Sequence, residues 1–264
     1  MSAGECRVDI NCDLGESFGN WQLGNDEELL PRVSSANVAC GFHGGDPVTM
    51  TRTVARALEL GVAVGAHPGL PDLLGFGRRE LDISPEEAYA YVLYQGGALE
   101  AALRAHGERL HHVKPHGILY KMLNEREELA VAVADAIAAL MDEPLLYWPA
   151  GSEDGALVRE ARRRGFEVVL EFYPDLRYTT ARRTIIERRK EPLEPAVAVE
   201  RVARFLRDGT AETVDGDPIP LSAESICVHG DGPTAPQIVA ALRAHLQAEG
   251  WSVAAPRSRT AVRA

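Results

Sequence analysis

The sequence predicts an α/β protein, a barrel of parallel strands joined by helical crossovers. Short apolar runs alternate with amphipathic helical patterns along most of the chain, which is typical of repeated β/α units. The length of 264 residues suits a single α/β barrel. Polar residues also recur where the predicted strands end, as at the rim of such a barrel. We therefore expect one domain over residues 1–255, followed by a flexible C-terminal tail over 256–264.

The individual elements follow from local patterns. Asp46 and Pro47 have the form of a helix N-cap and first helical position, and Ser84 and Glu87 have capping-box spacing at the start of a second helix. A third helix is predicted over 124–142, where apolar residues recur at helical period. The predicted strands cover residues 7–13, 35–40, 62–67, 110–114, 145–149, 167–172 and 225–229, with a further short strand at 251–254.

Composition excludes several classes of partner. The formal net charge of −11 and the pI near 5.2 would repel nucleic acid phosphates and anionic membrane surfaces. No apolar run approaches the roughly 20 residues that a membrane span needs, and the N-terminus lacks the features of a signal peptide. The four cysteines show no C-x-x-C spacing and are predicted to be reduced thiols. We expect a cytoplasmic protein with no nucleic acid or membrane partner.

Chemically active side chains are predicted at one rim of the barrel. A lone histidine is most often structural, and glycine-rich βα turns are common, so each motif alone is weak evidence. Their recurrence at strand ends is what favours an active site, because the rim loops of a β/α barrel face a shared cavity above an apolar interior. Neither a P-loop nor a G-x-S-x-G elbow is present. The side chains at strand ends are Asp13, His43, His67, Lys114, His116, Glu171, Asp175, His229 and Asp231.

The order of several motifs resembles one family. The segments DINCDLGES, SSANVACGFHGGDP, GVAVGAHPGLPD with FGRRE, LYQGGAL, HHVKPHGILY and ICVHGD together resemble the LamB/YcsF family over most of residues 7–230. The resemblance implies a (β/α)7-type TIM-like barrel, similar to the glycoside hydrolase and deacetylase superfamily. It also implies ATP-dependent hydrolysis of 5-oxoproline or a related lactam, with ATP and Mg²⁺ as cofactors and the B and C subunits of 5-oxoprolinase as partners.

The resemblance assigns provisional roles to two sets of residues. Lys114 and a histidine would stabilise negative charge, while Asp13, Glu16 or Glu171 would act as general base. The catalytic set is Asp13, Glu16, His43, His67, Lys114, His116, Glu171 and Asp175. The substrate-binding set is Asn11, Asn37, Gly45, Asp46, Tyr120, Tyr178, His229 and Asp231.

Two other hypotheses remain open. One is a metal-dependent amidohydrolase or deacetylase, with Asp13, His43 and His67 as a triad for a tightly bound transition metal. Elemental analysis of the purified protein would separate it from the first hypothesis. The other is a non-catalytic subunit that binds a small molecule for partner enzymes.

One segment departs from the family pattern. Where the family has Glu-Val-Phe-Ala-Asp-Arg-x-Tyr followed by Asp-Gly, this chain reads EFYPDLRYTTARRTIIERRKEP, so that Leu176 replaces an arginine. The loop over 174–194 is long enough to be functional. Its basic residues are predicted to bind an anionic ligand or an acidic partner, and they are Arg177, Arg182, Arg183, Arg188, Arg189 and Lys190.

Overall fold

Seven parallel segments close into a barrel in the computed structural model, which describes residues 6–185 and 191–256. Six of the segments are the strands β1 (Arg7–Leu14), β2 (Ser35–Ala39), β3 (Ala63–His67), β4 (Leu145–Pro149), β5 (Glu167–Phe172) and β10 (Ser225–His229). They pair side by side in the order β3-β2-β1-β10-β5-β4. The seventh is the stretch around Val113, which bridges Ala66 of β3 on one side and Leu146 of β4 on the other. This bridge closes the ring, and the predicted TIM-like α/β fold is confirmed.

The remaining elements surround this ring. The helices are α1 (Asp26–Leu29), α2 (Pro47–Glu59), α3 (Pro85–Arg104), α4 (Gly117–Glu125), α5 (Glu127–Leu140), α6 (Ala156–Arg163), α7 (Pro195–Asp208) and α8 (Ala235–Ala248). The short strands β6 (Arg177–Tyr178) with β7 (Thr184–Ile185), and β8 (Thr210–Glu212) with β9 (Pro218–Pro220), form two antiparallel pairs. β11 (Ser252–Val253) pairs with the start of β1. Among the described helices, none has both the length and the apolar character needed to cross a bilayer.

The helix starts follow the sequence signals. Asp46 caps α2 by accepting from the backbone N–H groups of its first turn, and Ser84 and Glu87 form the predicted capping box of α3. The predicted third helix differs from the structure. Its first residues belong to α4, which ends at Glu125, and α5 begins at Glu127 after Arg126 adopts an extended backbone.

The predicted strand over 110–114 pairs with β3 through backbone hydrogen bonds of His111, His112 and Lys114, and Val113 is the residue bridged on both sides. Val113 donates its N–H to the Leu145 carbonyl and accepts at its own carbonyl from Tyr147. Pro115 follows two residues later and has no N–H to extend either ladder. The backbone therefore leaves the sheet just after Lys114, which places this lysine at the carboxyl end of the barrel.

The interior of the barrel is polar along β1, contrary to the expected apolar interior. Asp9, Asn11 and Asp13 alternate along the strand and so face the same side. Asp9 is fully buried and accepts hydrogen bonds from serine hydroxyls and from Tyr147 at 3.0 Å. Burial raises the pKa of Asp9, while these hydrogen bonds oppose the shift. Hydrogen-bonded side chains thus connect the bottom of the barrel to the rim.

Candidate active site

A pocket opens at the carboxyl ends of the barrel strands. Asp13 lies near the end of β1, His67 ends β3, Lys114 follows the Val113 bridge and His229 ends β10. Parallel strands bring these ends to one face because every strand of the ring runs in the same direction. The pocket is lined by Asp13, Glu16, His67, Phe76, Arg78, Lys114, Pro115, His116, Gly117, Tyr120, Tyr147, Trp148, Pro149, Tyr173, Leu176, Thr184, His229 and Asp231.

Lys114 lies at the centre of the pocket floor. Its ammonium nitrogen is 2.9 Å from Asp13 Oδ1 and 3.1 Å from Glu171 Oε1, and it donates to Cys227 Sγ at 3.0 Å. The lysine side chain is 7% exposed, so two carboxylates hold one buried cation. Tyr173 donates its hydroxyl to the second oxygen of Glu171 at 2.8 Å.

The ion pair shifts both Lys114 and Asp13 toward the charged form. Burial alone would lower the pKa of Lys114, but the Asp13 and Glu171 carboxylates and the hydrogen bond to Cys227 Sγ outweigh it and raise that pKa well above its ordinary value. Burial would likewise raise the pKa of Asp13, but the His67 ring and the Lys114 ammonium hold it well below its ordinary value. At neutral pH the floor of the pocket therefore carries a fixed positive charge beside a fixed negative charge.

A row of hydrogen bonds orients Asp13 from below. Asn37 donates one amide hydrogen to Asp13 Oδ1 at 2.8 Å and the other to Asn11 Oδ1 at 2.7 Å. Asn37 Oδ1 in turn faces His112 Nε2 at 2.7 Å, and the His112 ring stacks on Tyr147. The predicted substrate-binding residues Asn11 and Asn37 thus lie beneath the pocket, where Asn37 contacts Asp13. The HHVKPHGILY motif contains His112 but does not indicate this role.

Three histidines and one glutamate converge beside Asp13. The ligand atoms of Glu16, His43, His67 and His116 all lie within 4.8 Å of one another, and the four residues are buried. The His43 and His116 rings stack with centroids 3.6 Å apart, and His116 Nδ1 is 3.1 Å from His67 Nε2. Burial lowers the pKa of His43 and of His116 well below the ordinary value, which favours neutral rings.

A second group of potential metal ligands consists of Asp13, Cys227 and His229. The Lys114 ammonium already contacts two of these residues, Asp13 and Cys227, and so takes the position that a metal ion would need. Burial also raises the pKa of Cys227 well above the ordinary value, so the sulfur is a thiol at neutral pH. Of these two groups, the histidine cluster is the better candidate for a cation.

The other predicted residues divide by position. Arg78, His229 and Asp231 line the pocket, and Arg78 forms an ion pair with Asp231 at 3.0 Å. The predicted catalytic residue Asp175 does not line the pocket but contacts His229, with Oδ2 3.0 Å from His229 Nδ1. The Tyr120 hydroxyl lines the pocket and donates to Ser152 at 2.6 Å. Sequence reasoning missed Arg78 as a pocket residue, although the FGRRE motif contains it.

Besides Asn11 and Asn37, three more predicted substrate-binding residues do not line the pocket. The Asp46 carboxylate caps α2, and Gly45, at a positive φ of 78°, packs closely against the carbonyls of Gly15 and Ala39. The Tyr178 side chain is buried, and its hydroxyl accepts from the Tyr173 N–H at 2.9 Å. These residues shape the loops around the pocket.

The divergent loop lies over the same rim, but two of its described arginines are paired within the chain. Leu176 and Thr184 line the pocket. Arg182 lies 3.8 Å from Glu153, and Arg183 donates to Asp154 at 2.9 Å and to the Gly151 carbonyl. These partners belong to the loop after β4, so both arginines hold one rim loop against another. Arg188, Arg189 and Lys190 lie outside the described residues.

Comparisons with known proteins point in one direction. The family model described as the LamB/YcsF family matches residues 8–261. A protein from Chloroflexus aggregans that is named as the A subunit of 5-oxoprolinase is 48% identical over 252 residues, which cover 95% of this chain and 99% of that protein. The crystal structure of a lactam utilization protein from Thermus thermophilus has a TM-score of 0.86 and 43% identity, covering 95% of this chain and 100% of that one. A family 4 carbohydrate esterase from Streptomyces lividans, 11% identical with a TM-score of 0.52 and covering 97% of this chain and 95% of its own, shares the fold.

Proposed function

The chain belongs to the LamB/YcsF family, and from that premise we propose that it is the A subunit of a 5-oxoprolinase, a hydrolase that opens the ring of 5-oxoproline or a closely related lactam. Two features support the proposal: the relationship to proteins of that name spans nearly the whole chain, and one buried lysine lies between two carboxylates at the pocket floor.

The chemistry of ring opening explains why a fixed cation is useful here. A lactam carbonyl is a poor electrophile, and negative charge develops on its oxygen when water attacks the carbon. Phosphoryl transfer from ATP to that oxygen would release ADP and activate the ring. Water then attacks the carbon and the C–N bond breaks, with the nitrogen taking up a proton, and a second water releases phosphate from the resulting acyl phosphate. Lys114 is the group placed to stabilise the negative oxygen, because it stays protonated and faces the pocket.

The surroundings of Lys114 narrow the choice of proton acceptor. Asp13 is held ionised by its neighbours, and a carboxylate of such low pKa is a weak base. Glu171 already contacts Lys114 through one oxygen and Tyr173 through the other. Activation of water therefore falls to the side of the pocket formed by Glu16 and the histidines, with Asp13 and Glu171 as counter-charges for Lys114.

ATP and partner chains complete the proposal. The sequence has no P-loop, so we expect ATP with Mg²⁺ to be held largely by partners, which we identify as the B and C subunits of 5-oxoprolinase. The relatives are named as one lettered subunit of an enzyme, which supports an assembly of several chains. The cytoplasmic location predicted from the sequence is part of this proposal.

The decisive experiment is reconstitution. We expect glutamate and phosphate to be released from 5-oxoproline and ATP by the purified chain together with B and C subunits, and very little release by the chain alone. Product would be measured by chromatography and a phosphate assay, and the B and C subunits tested separately would serve as controls. ATP-independent ring opening or amide hydrolysis by this chain alone would instead favour the metal-dependent amidohydrolase.

Arg78 is expected to select the anionic substrate. Its guanidinium lines the pocket mouth, and the ion pair with Asp231 through one nitrogen leaves donors available for a ligand carboxylate. We predict that Arg78→Ala raises KM for 5-oxoproline about 10-fold or more, because the substrate loses one hydrogen bond to a charged group. The effect on kcat should be smaller. Steady-state kinetics of the reconstituted enzyme would show this. Arg56→Ala, which removes an exposed guanidinium on α2, serves as the control. An unchanged KM would place substrate recognition elsewhere.

A further inference from the structure

We propose that Glu16, His43, His67 and His116 bind a divalent transition metal ion of the zinc and cobalt class. The proposal goes beyond the lactam-opening function and does not depend on it. It rests on the directions in which the ring nitrogens point, on the burial of the four side chains and on the spacing of their donor atoms.

Backbone carbonyls fix the hydrogens of two histidine rings. His67 Nδ1 lies 2.6 Å from the Lys114 carbonyl oxygen, and His116 Nε2 lies 2.8 Å from the Phe76 carbonyl oxygen. A carbonyl oxygen only accepts, so each of these nitrogens carries a hydrogen. This leaves lone pairs on His67 Nε2 and His116 Nδ1, which face each other at 3.1 Å. Histidine ligands of metals are oriented in the same way, by a hydrogen bond from the nitrogen that does not bind the ion.

Two opposed lone pairs require either a shared proton or a cation between them. A proton on His67 Nε2 would satisfy this pair and would also face Asp13 Oδ2 at 3.5 Å, but it would leave His43 without a partner. His43 is the residue that favours the cation: its ring is fully buried, and among the described residues neither of its nitrogens makes a hydrogen bond. Leaving a buried nitrogen unpaired is destabilising, and a metal ion bound to the same ring would offset that cost. His43 Nε2 lies 3.4 Å from Glu16 Oε1, so the fourth residue adds the negative charge that a divalent ion requires.

The spacing of the donor atoms fits a small ion. Zinc binds imidazole nitrogen at about 2.0–2.1 Å, so tetrahedral ligand atoms lie roughly 3.3–3.5 Å apart. Two pairs of donor atoms are near this value: His116 Nδ1 and His67 Nε2 at 3.1 Å, and His43 Nε2 and Glu16 Oε1 at 3.4 Å. Three imidazoles and one carboxylate form a donor set that suits zinc and cobalt and disfavours magnesium, which prefers oxygen ligands.

The composition of this site differs from the triad predicted from the sequence. His43 and His67 are retained, but Asp13 directs Oδ1 to Lys114 and Asn37, and only its Oδ2 approaches His67, at 3.5 Å. Glu16 and His116 take its place. Glu16, His67 and His116 also line the pocket, so an ion here would meet substrate and solvent from that side. It would supply an activated water on the side of the pocket where the lactam reaction needs one.

The test measures metal binding directly. The protein is stripped of metal with a chelator and titrated with Zn²⁺ by calorimetry, and with Co²⁺ by visible absorption. We expect one equivalent of each ion, a tetrahedral or five-coordinate cobalt spectrum, and a rise in melting temperature with Zn²⁺ but not with Mg²⁺. Glu16→Gln and His43→Asn should each weaken Zn²⁺ affinity roughly 100-fold or more. His106→Asn, a change at an exposed histidine, should leave it unaltered.

Each outcome decides the proposal. Glu16→Gln keeps the shape of the side chain, so it tests the charge even if His43→Asn fails to fold. Cys227→Ser separates the histidine cluster from the second group of potential ligands. Absence of Zn²⁺ binding in the native protein would overturn the site, as would wild-type affinity in Glu16→Gln or loss of binding in Cys227→Ser alone. Because none of these readouts involves turnover, they stand whether or not the lactam assay succeeds.

Discussion

Replacing Lys114 with methionine is expected to abolish coupled turnover and also to weaken the fold. The variant removes the buried cation at the pocket floor, so kcat should fall by about 10²–10³-fold or more. It also leaves Asp13 and Glu171 buried without their shared partner, and breaking such a pair costs about 3–5 kcal/mol. The sequence alone predicts loss of activity without unfolding, on the premise that a rim lysine contributes only charge. The burial of Lys114 changes that expectation. Urea unfolding and the reconstituted assay would measure the two effects.

A double variant separates catalysis from stability. Combining Lys114→Met with Glu171→Gln removes one of the two uncompensated carboxylates, so part of the lost unfolding free energy should return. Activity should not return, because the cation is still missing. If Lys114→Met retained near wild-type turnover, the lysine would be a structural ion-pair partner and the proposed role in charge stabilisation would be wrong.

Most of the fold can be predicted from the sequence, because each β/α unit has its own local sequence pattern. Apolar runs bounded by turns located the six barrel strands, and helix caps at Asp46 and Ser84 gave two helix starts. The features that the sequence does not predict are those that depend on contacts between distant parts of the chain. The run at 110–114 pairs with β3 and β4 as predicted, but Pro115 ends the pairing just after Lys114, so the strand is short. The hairpin of β6 and β7 inside the long loop is similarly short and without a strong pattern.

The candidate active site can be predicted only in part from the sequence. Strand ends identified which residues reach the rim, and Asp13, Lys114, Glu171 and His67 do come together there. Nothing in the sequence shows that loop carbonyls would fix the histidine rings, because those oxygens come from the backbone of distant residues. The role of Arg78 was also hidden, since a run of two arginines gives no sign of which one points into the pocket.

Gly65 is expected to be essential to the barrel interior. A Cβ added at this position in β3 would lie 2.2 Å from His112 Nε2 and 2.3 Å from two ring carbons. The His112 ring cannot easily move, because it stacks on Tyr147 at 4.0 Å and is hydrogen-bonded to Asn37. Overpacking of this kind costs typically 1–3 kcal/mol, and here we predict about 3 kcal/mol for Gly65→Ala in urea unfolding. Displacement of His112 would also disturb the hydrogen bond from Asn37 that orients Asp13, so turnover should fall.

A matched glycine gives the opposite expectation. Gly97 lies within α3, and a Cβ there would meet nothing within 4 Å. Gly97→Ala should therefore raise the unfolding free energy by about 0.5–1 kcal/mol, because alanine is the better helix former. Removing the obstructing ring offers a second check: His112→Ala combined with Gly65→Ala should be more stable than Gly65→Ala alone if the clash is the cause. If Gly65→Ala has the same unfolding free energy as the wild type, the His112 ring has room to shift. The hydrogen bonds beneath Asp13 would then hold this ring less rigidly than their distances indicate.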